Sequence, residues 1–299
     1  MKRQTIITVG ISPSWDIACF ASEFQWGQHQ SIHRQTVTPA GKALNVSRAL
    51  ALLGRRSIAT GLWGRDDLPT ALASLRTWPK IEPRFTAVPG QVRRNITLID
   101  TRRGREMHLR SPNPLATPQN IHRLTQDLST MADARTICVF SGAVPDGVVE
   151  DFVKMVVVCQ RKGSRIVVDS YGPAMRAVID LGGLWIIKPN VEELNELLQQ
   201  QVPDRSSAIL TAARSLIDRV ALVLVSRGRQ GAMAVTGKSE IIEPAPKIRS
   251  VSHTVGCGDY LLAGFLDGYL SAGESGRAAI RKGLTRGVRL ATNRAAGRV

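Results

Sequence analysis

Short runs rich in valine and isoleucine recur along this chain with helix-like stretches between them, and that alternation constrains the fold more than any other feature. Residues 5–11, 137–140, 165–168, 185–188 and 221–225 are such runs, and several end in Gly, Asp, Asn or Ser. A strand that is apolar on both faces must be covered on both faces, as in a parallel sheet. Residues 148–161, 191–200 and 206–219 carry apolar side chains at helical spacing. Repeated strand–helix units predict an α/β fold, with a mostly parallel central sheet covered by helices.

The first half reads differently. Residues 19–37 are more polar, and residues 95–109 alternate around Arg102-Arg103-Gly104, which predicts a hairpin. These segments suit a small β-sheet lid with strands drawn from about 15–40 and 90–110. No internal repeat, low-complexity tract or long linker divides the 299 residues, so one α/β domain spanning 1–299 is expected. The longest apolar runs, 155–159 and 221–225, are far shorter than the ~20 residues that cross a bilayer. Met1-Lys2-Arg3 and Ile6-Ile7 are followed at once by Ser12-Pro13 and Asp16, leaving no secretory hydrophobic region, so a cytoplasmic setting is expected. The four cysteines show no Cys-x-x-Cys pair, and neither a zinc site nor a disulfide framework is indicated. Lys+Arg 40 against Asp+Glu 24 gives a net charge of +16, which suits nucleic acid, anionic lipid or negatively charged small substrates alike.

Three stretches carry chemistry. In residues 254–265, Gly256, Cys257 and Gly258 precede Asp259 and an apolar helical pattern. Their amides at a helix N-terminus suit an anion, and Asp259 beside them suits a base taking a proton from an attacking hydroxyl. The competing reading is an aspartate that caps the helix, with glycines serving the turn. In residues 39–54 a small-residue turn bearing Lys42 enters a helix that stops at Gly54. A Walker A loop is excluded because its first glycine falls on Thr36 and Ala43 follows the lysine. A solvated lysine is the plainer reading there. In residues 186–194, Asn190 and Glu193 have capping-box spacing; the same spacing puts an amide oxygen and a carboxylate at the edge where α/β folds bind ligands, suited to water-mediated Mg²⁺.

In this order the chain resembles the ribokinase-like (PfkB) carbohydrate kinases. The resemblance rests on Ala40 to Val46, Asn190 to Glu193, Ser226-Arg227-Gly228, and Thr254 to Asp259. Within the family it is most similar to the 1-phosphofructokinase and tagatose-6-phosphate kinase branch, through Ser12-Pro13-Ser14-Trp15-Asp16, Arg93-Arg94-Asn95 and Ser141-Gly142-Ala143-Val144-Pro145. The resemblance implies ATP and Mg²⁺ as cofactors and a ketohexose phosphate, fructose 1-phosphate or tagatose 6-phosphate, as acceptor. It makes Asp259 the general base and Gly256, Cys257 and Gly258 the amide cradle. Asp16, Gly41 and Asn45 would meet the sugar, with Asn95 and Ser141 from the branch motifs beside them, while Lys42 and Arg93 attract its phosphate. Lys188, Ser226 and Gly228 would meet the nucleotide, and Asn190 and Glu193 the hydrated Mg²⁺.

The sequence departs from the family pattern at Ala40 and Ala43, where glycine is usual, and at His253, Cys257 and the uncharged turn 26–30. A kinase for an unphosphorylated sugar or nucleoside, and a non-catalytic sugar-phosphate or nucleic-acid binder of the same fold, are the alternatives. The basic run Arg277, Arg281, Lys282, Arg286 and Arg289 lacks interleaved aromatics and reads as a solvated helix face, so a nucleic-acid partner is not expected. A homodimer formed through the lid is an expected assembly, and no membrane partner is expected.

Overall fold

The computed structural model describes residues 4–252, 255–273 and 275–299. The strands are β1 (Thr5–Gly10), β2 (Ser14–Ala21), β3 (Arg34–Ala40), β4 (Ser57–Gly64), β5 (Ile81–Val88), β6 (Arg93–Asp100), β7 (Arg105–Arg110), β8 (Thr136–Ser141), β9 (Arg165–Asp169), β10 (Leu184–Ile187), β11 (Val220–Ser226), β12 (Ala232–Thr236) and β13 (Ser239–Glu243). The helices are α1 (Lys42–Leu52), α2 (Leu68–Leu75), α3 (Pro118–Met131), α4 (Val149–Arg161), α5 (Gly172–Leu181), α6 (Val191–Leu198), α7 (Ser206–Arg214), α8 (Cys257–Leu270) and α9 (Arg277–Ala295). Nine strands form the main sheet in the order β13-β12-β11-β10-β9-β8-β1-β4-β5. It is parallel from β11 to β5, and β12 and β13 add an antiparallel edge.

Successive side chains feed opposite faces of this sheet. Ile7, Val9, Cys138, Phe140, Val223 and Val225 enter a core shared with α3, α4 and α5, whereas Ile6, Ile137, Val139, Leu222 and Leu224 pack with α1, α8 and α9. The expected central sheet is therefore present, and the continuous apolar character of its strands follows from burial on both sides. Helix α7 stops at Arg214, short of the 219 that apolar spacing suggests. The chain turns there to enter β11, with Leu216 buried and its carbonyl accepting from Val220 N at 3.0 Å.

Helices α8 and α9 touch backbone to backbone. A Cβ on Gly264 would lie 2.7 Å from Gly287 Cα, and one on Gly268 would lie 2.8 Å from Gly283 Cα. The four glycines fix an antiparallel register, 264 against 287 and 268 against 283, that any larger side chain would push apart.

The second sheet has the order β3-β2-β6-β7. Strands β6 and β7 form the hairpin expected around 102–104, and β2 pairs with β6 in parallel. Since β2 follows β1 after a three-residue turn and β3 runs into α1, this sheet stands over the C-terminal edge of the main one.

Candidate active site

The C-terminal ends of β1, β8, β9, β10 and β11 deliver Ser12, Ser141, Asp169, Lys188 and Ser226 to that common edge. Facing them is the start of α8. Its N-cap, Gly256, adopts φ 85°, a left-handed conformation that glycine tolerates without strain, and brings no side chain of its own to the helix start. The start of α8 is the positive end of a helix, which favours an anion.

Asp259 lies in the first turn of α8 and is buried. Asn45 Nδ2 donates to its Oδ2 at 2.8 Å. Burial pushes the Asp259 carboxyl up, and the negative charge of Asp169 adds to the effect; Asn45, Lys42 and Lys188 oppose it, leaving the value at about 7. A Cβ on Gly258 would lie 3.2 Å from Lys188 Nζ, so a lysine ammonium abuts the loop. His253 and Thr254, the first residues of this stretch, lie outside the described residues.

Asp169 is the residue that motif reading missed. It ends β9, is fully buried, and its Oδ1 faces Lys188 Nζ at 3.2 Å and Lys42 Nζ at 3.4 Å. Ser141 Oγ donates to its Oδ2 at 3.4 Å. Burial raises its pKa, but the two ammonium groups outweigh that and hold the carboxyl below its ordinary value. In turn Asp169, Asp259 and Glu193 overcome the burial of Lys42 and keep it firmly protonated. The solvated reading of Lys42 is therefore set aside: it is the first residue of α1, ion-paired, with its ammonium 5.6 Å from the Tyr171 ring. An aspartate at the end of a buried parallel strand was the available signal.

A second group sits on the small sheet. Asp16 Oδ1 accepts from Ser14 Oγ at 2.9 Å and from Asn95 Nδ2 at 3.0 Å. Arg93 reaches back to the Ser12 carbonyl at 3.3 Å. Arg93 Nε and Asn95 Oδ1 are buried without a hydrogen-bond partner among the described residues, a state that costs free energy until a ligand or water supplies one. Gly41 takes φ 127° beside Pro13, in the left-handed region that favours glycine. The methyl of Ala43 is buried against β1, where a Cβ on Gly10 would come within 3.0 Å of it; glycine at 10 makes room for the departure at 43.

The third group is the expected nucleotide end. Asn190 and Glu193 form a full capping box at the start of α6: Glu193 N donates to Asn190 Oδ1 at 2.7 Å and Asn190 N to Glu193 Oε2 at 2.8 Å. The capping reading is realised in the structure. Those two oxygens are engaged, which leaves the other Glu193 oxygen for a cation, and no group of three metal-ligating side chains forms among the described residues. This donor set fits a hydrated Mg²⁺ carried by a nucleotide and touched through water, not a dedicated metal cage. Asn190 bridges to Ser226, and Gly228, at φ 51°, opens a short turn beyond it.

An aspartate near neutral pKa at a helix N-terminus, with ammonium groups around it, is the layout of an enzyme that moves an anionic group onto a hydroxyl. The chain belongs to the pfkB family of carbohydrate kinases, whose model matches residues 4–297. Phosphofructokinase-2 from Escherichia coli superposes with a TM-score of 0.89 in its tetrameric inhibited form, at 24% identity over 98% of this chain and 94% of that one. Its complex with fructose-6-phosphate gives 0.86, at 23% identity over 98% of each chain. A possible 1-phosphofructokinase from Thermotoga maritima gives 0.79, at 21% identity over 98% and 93%. Ribokinase from the same organism gives 0.75, at 19% identity over 98% and 93%. The fold is ribokinase-like, as the sequence resemblance implies, and the enzyme is a carbohydrate kinase.

Proposed function

We propose that this enzyme transfers the γ-phosphoryl group of ATP to a ketohexose phosphate. The observation that carries the reading is Asp259, buried in the first turn of α8 with its carboxyl pushed up to about 7. Such a carboxylate is unprotonated in enough molecules at neutral pH to accept a hydroxyl proton, yet basic enough to do so usefully. Asn45 holds one of its oxygens, and the other would take the acceptor's proton. The amides of Gly256, Cys257 and Gly258 would stabilise charge on the phosphoryl oxygens, and Lys188 would guide the nucleotide phosphates toward them. Bound Mg²⁺ would neutralise the nucleotide, with Asn190 and Glu193 orienting its water shell and Ser226 and Gly228 lining the nucleotide end.

Asp16 and Asn95, with Gly41, would hold sugar hydroxyls. Arg93, Lys42 and Ser141 are our candidates for meeting the acceptor's own phosphate; the orphaned Arg93 Nε supports a charged oxygen there. Fructose 1-phosphate and tagatose 6-phosphate are the favoured acceptors. Fructose 6-phosphate joins them because the Escherichia coli phosphofructokinase-2 was solved with it. Assaying ATP consumption across these three, fructose and ribose tests the reading. Preference for a sugar phosphate supports it, and preference for a neutral sugar refutes it.

We treat the small sheet as a lid on a single kinase domain, and we propose that a second copy of the chain covers its outer face. Val37, Ile17, Ile96 and Leu109 lie in one row across β3-β2-β6-β7, and Cys19, Leu98 and Met107 continue it on the same face. Asp16 and Asn95 occupy the opposite face. Val37, Leu109 and Met107 are exposed, a patch that sheet-on-sheet pairing would bury. Val37→Asp with Leu109→Asp would convert a dimer to monomer in light scattering; a wild-type monomer refutes the assembly. No helix among the described residues is long and apolar enough to cross a membrane. The buried cysteines Cys19, Cys138 and Cys159 form no disulfide, and we propose a cytoplasmic setting, where ATP is supplied.

A further inference from the structure

The register of the small sheet brings a second arginine to the face that holds the sugar-binding candidates. Asp16 on β2 pairs with Asn95 on β6, and Asn95 pairs with Arg110 on β7, so the three form one row across the sheet. Paired residues share a face, and the Asn95 amide does turn to Asp16, donating at 3.0 Å. Arg93 lies two residues before Asn95 and therefore on the same face. Diagonal neighbours across an antiparallel pair are about 7–8 Å apart, within reach of two long side chains. Arg93 and Arg110 are such neighbours.

Most polar groups on this face already have partners. Asp16 Oδ1 accepts from Ser14 and Asn95, while His108, two residues before Arg110, contacts Thr97 at 3.1 Å and Glu106 at 3.2 Å. Arg93 donates to the Ser12 carbonyl, but its Nε is buried with no partner among the described residues. Neither Arg93 nor Arg110 forms an ion pair among those residues. Burial lowers the Arg93 pKa, the Tyr171 phenol and Asp16 raise it, and Arg110 lowers it again, so the two guanidinium groups feel each other's charge. Like charges held this close repel, and a dianion between them converts the repulsion into attraction toward both. A phosphate monoester has the charge and the oxygens to receive two guanidinium forks.

We infer that Arg110 is a specificity-determining residue that joins Arg93 in gripping the phosphate already carried by the acceptor. The inference rests on the sugar-phosphate reading above and adds a side chain outside every motif that identified the site. Arg93 is half-buried and Arg110 is exposed at the end of β7, so Arg110 meets the ligand from the solvent side. It acts on capture of the acceptor, and the chemical step is left to the residues around Asp259.

The test measures kcat and KM for wild type, Arg110→Gln, Arg110→Lys and Arg94→Gln. The acceptors are fructose and whichever of fructose 1-phosphate, tagatose 6-phosphate and fructose 6-phosphate wild type prefers. Arg94 is the control: it is exposed beside Arg93 but pairs with Trp15 on the opposite face, so its loss removes the same charge from the sheet without touching the row. Arg110→Gln is expected to raise KM for the sugar phosphate ~5- to 30-fold with kcat within about threefold, and to change kcat/KM on fructose by less than about twofold. Arg110→Lys keeps the charge and loses the fork, so its KM should rise only ~2- to 5-fold. Arg94→Gln should stay within about twofold of wild type. A KM rise below about fivefold in Arg110→Gln overturns the inference. An equal loss on fructose also overturns it, since that marks a structural role, and so does an equal loss in Arg94→Gln, which marks the general field of a basic chain. A wild type that prefers fructose to all three sugar phosphates refutes the acceptor reading by itself, before any variant is made, and takes the Arg110 inference with it.

Discussion

Asn45 Nδ2 donates to Asp259 Oδ2 at 2.8 Å, joining a residue of the first helix to one 214 positions later on α8. The bond stabilises the ionised carboxylate, since it lowers a pKa that burial has raised. Asn45→Leu removes the donor, so the pKa governing activity should move up and the pH–rate profile should shift alkaline. A loss of roughly tenfold or more in kcat at pH 7 is expected, partly recovered at pH 8.5. A profile that keeps its midpoint separates Asn45 from the base.

The same raised pKa has a consequence for stability. Asp259 binds its proton more tightly in the folded protein than its ordinary value of 3.8 allows, so between about pH 4 and pH 7 the folded state holds more protons than the unfolded one. Stability then falls as pH rises through that window. Asp259→Asn removes the titration, and its melting temperature should exceed that of wild type at pH 8, by the equivalent of roughly 1–4 kcal/mol, with the difference shrinking toward pH 4. Melting curves at the two pH values read this directly.

Asp169 should behave in the opposite sense. Its folded pKa is held low by Lys188 and Lys42, so its contribution is present above about pH 4 and lost as the solution is acidified below that. Asp169→Asn leaves two ammonium groups facing each other at a buried position and should cost ~3–5 kcal/mol in denaturant unfolding. Adding Lys188→Met to Asp169→Asn should recover part of that loss, because the unmatched charge is removed with it.

How much of this was legible beforehand follows from how each residue is specified. Strands β1, β8, β9, β10 and β11 were visible because burial on both faces demands continuous apolar runs. Gly41 and Gly256 were visible because their backbone angles exclude other residues. Asp169 was not, since a single aspartate after a strand has no pattern of its own. Its meaning comes from Lys42, which lies 127 positions away in the chain. Asn190 and Glu193 illustrate a spacing that serves two physical ends, of which the structure displays the cap.

For Glu193, the second end is open to measurement. Glu193→Gln keeps an oxygen for the Asn190 amide but loses the charge, so it should raise the Mg²⁺ concentration for half-maximal activity several-fold while the melting temperature stays within a degree or two. An unchanged Mg²⁺ requirement leaves only the cap.

Arg93→Ala tests the acceptor. Loss of one charge-assisted contact should cost ~1.5–3 kcal/mol, a ten- to hundredfold drop in kcat/KM confined to phosphorylated acceptors. An equal loss on fructose and ribose removes Arg93 from phosphate recognition.

The central claim is that Asp259 is the base, and Asp259→Asn tests it most directly because size and the helix start are kept while basicity is lost. Single-turnover phosphorylation of the preferred sugar phosphate, measured beside acceptor binding by calorimetry, should show turnover reduced by ~10²–10⁴ with acceptor affinity within a few-fold of wild type. Turnover within a few-fold of wild type would contradict the account, since no other buried carboxylate stands at the start of α8.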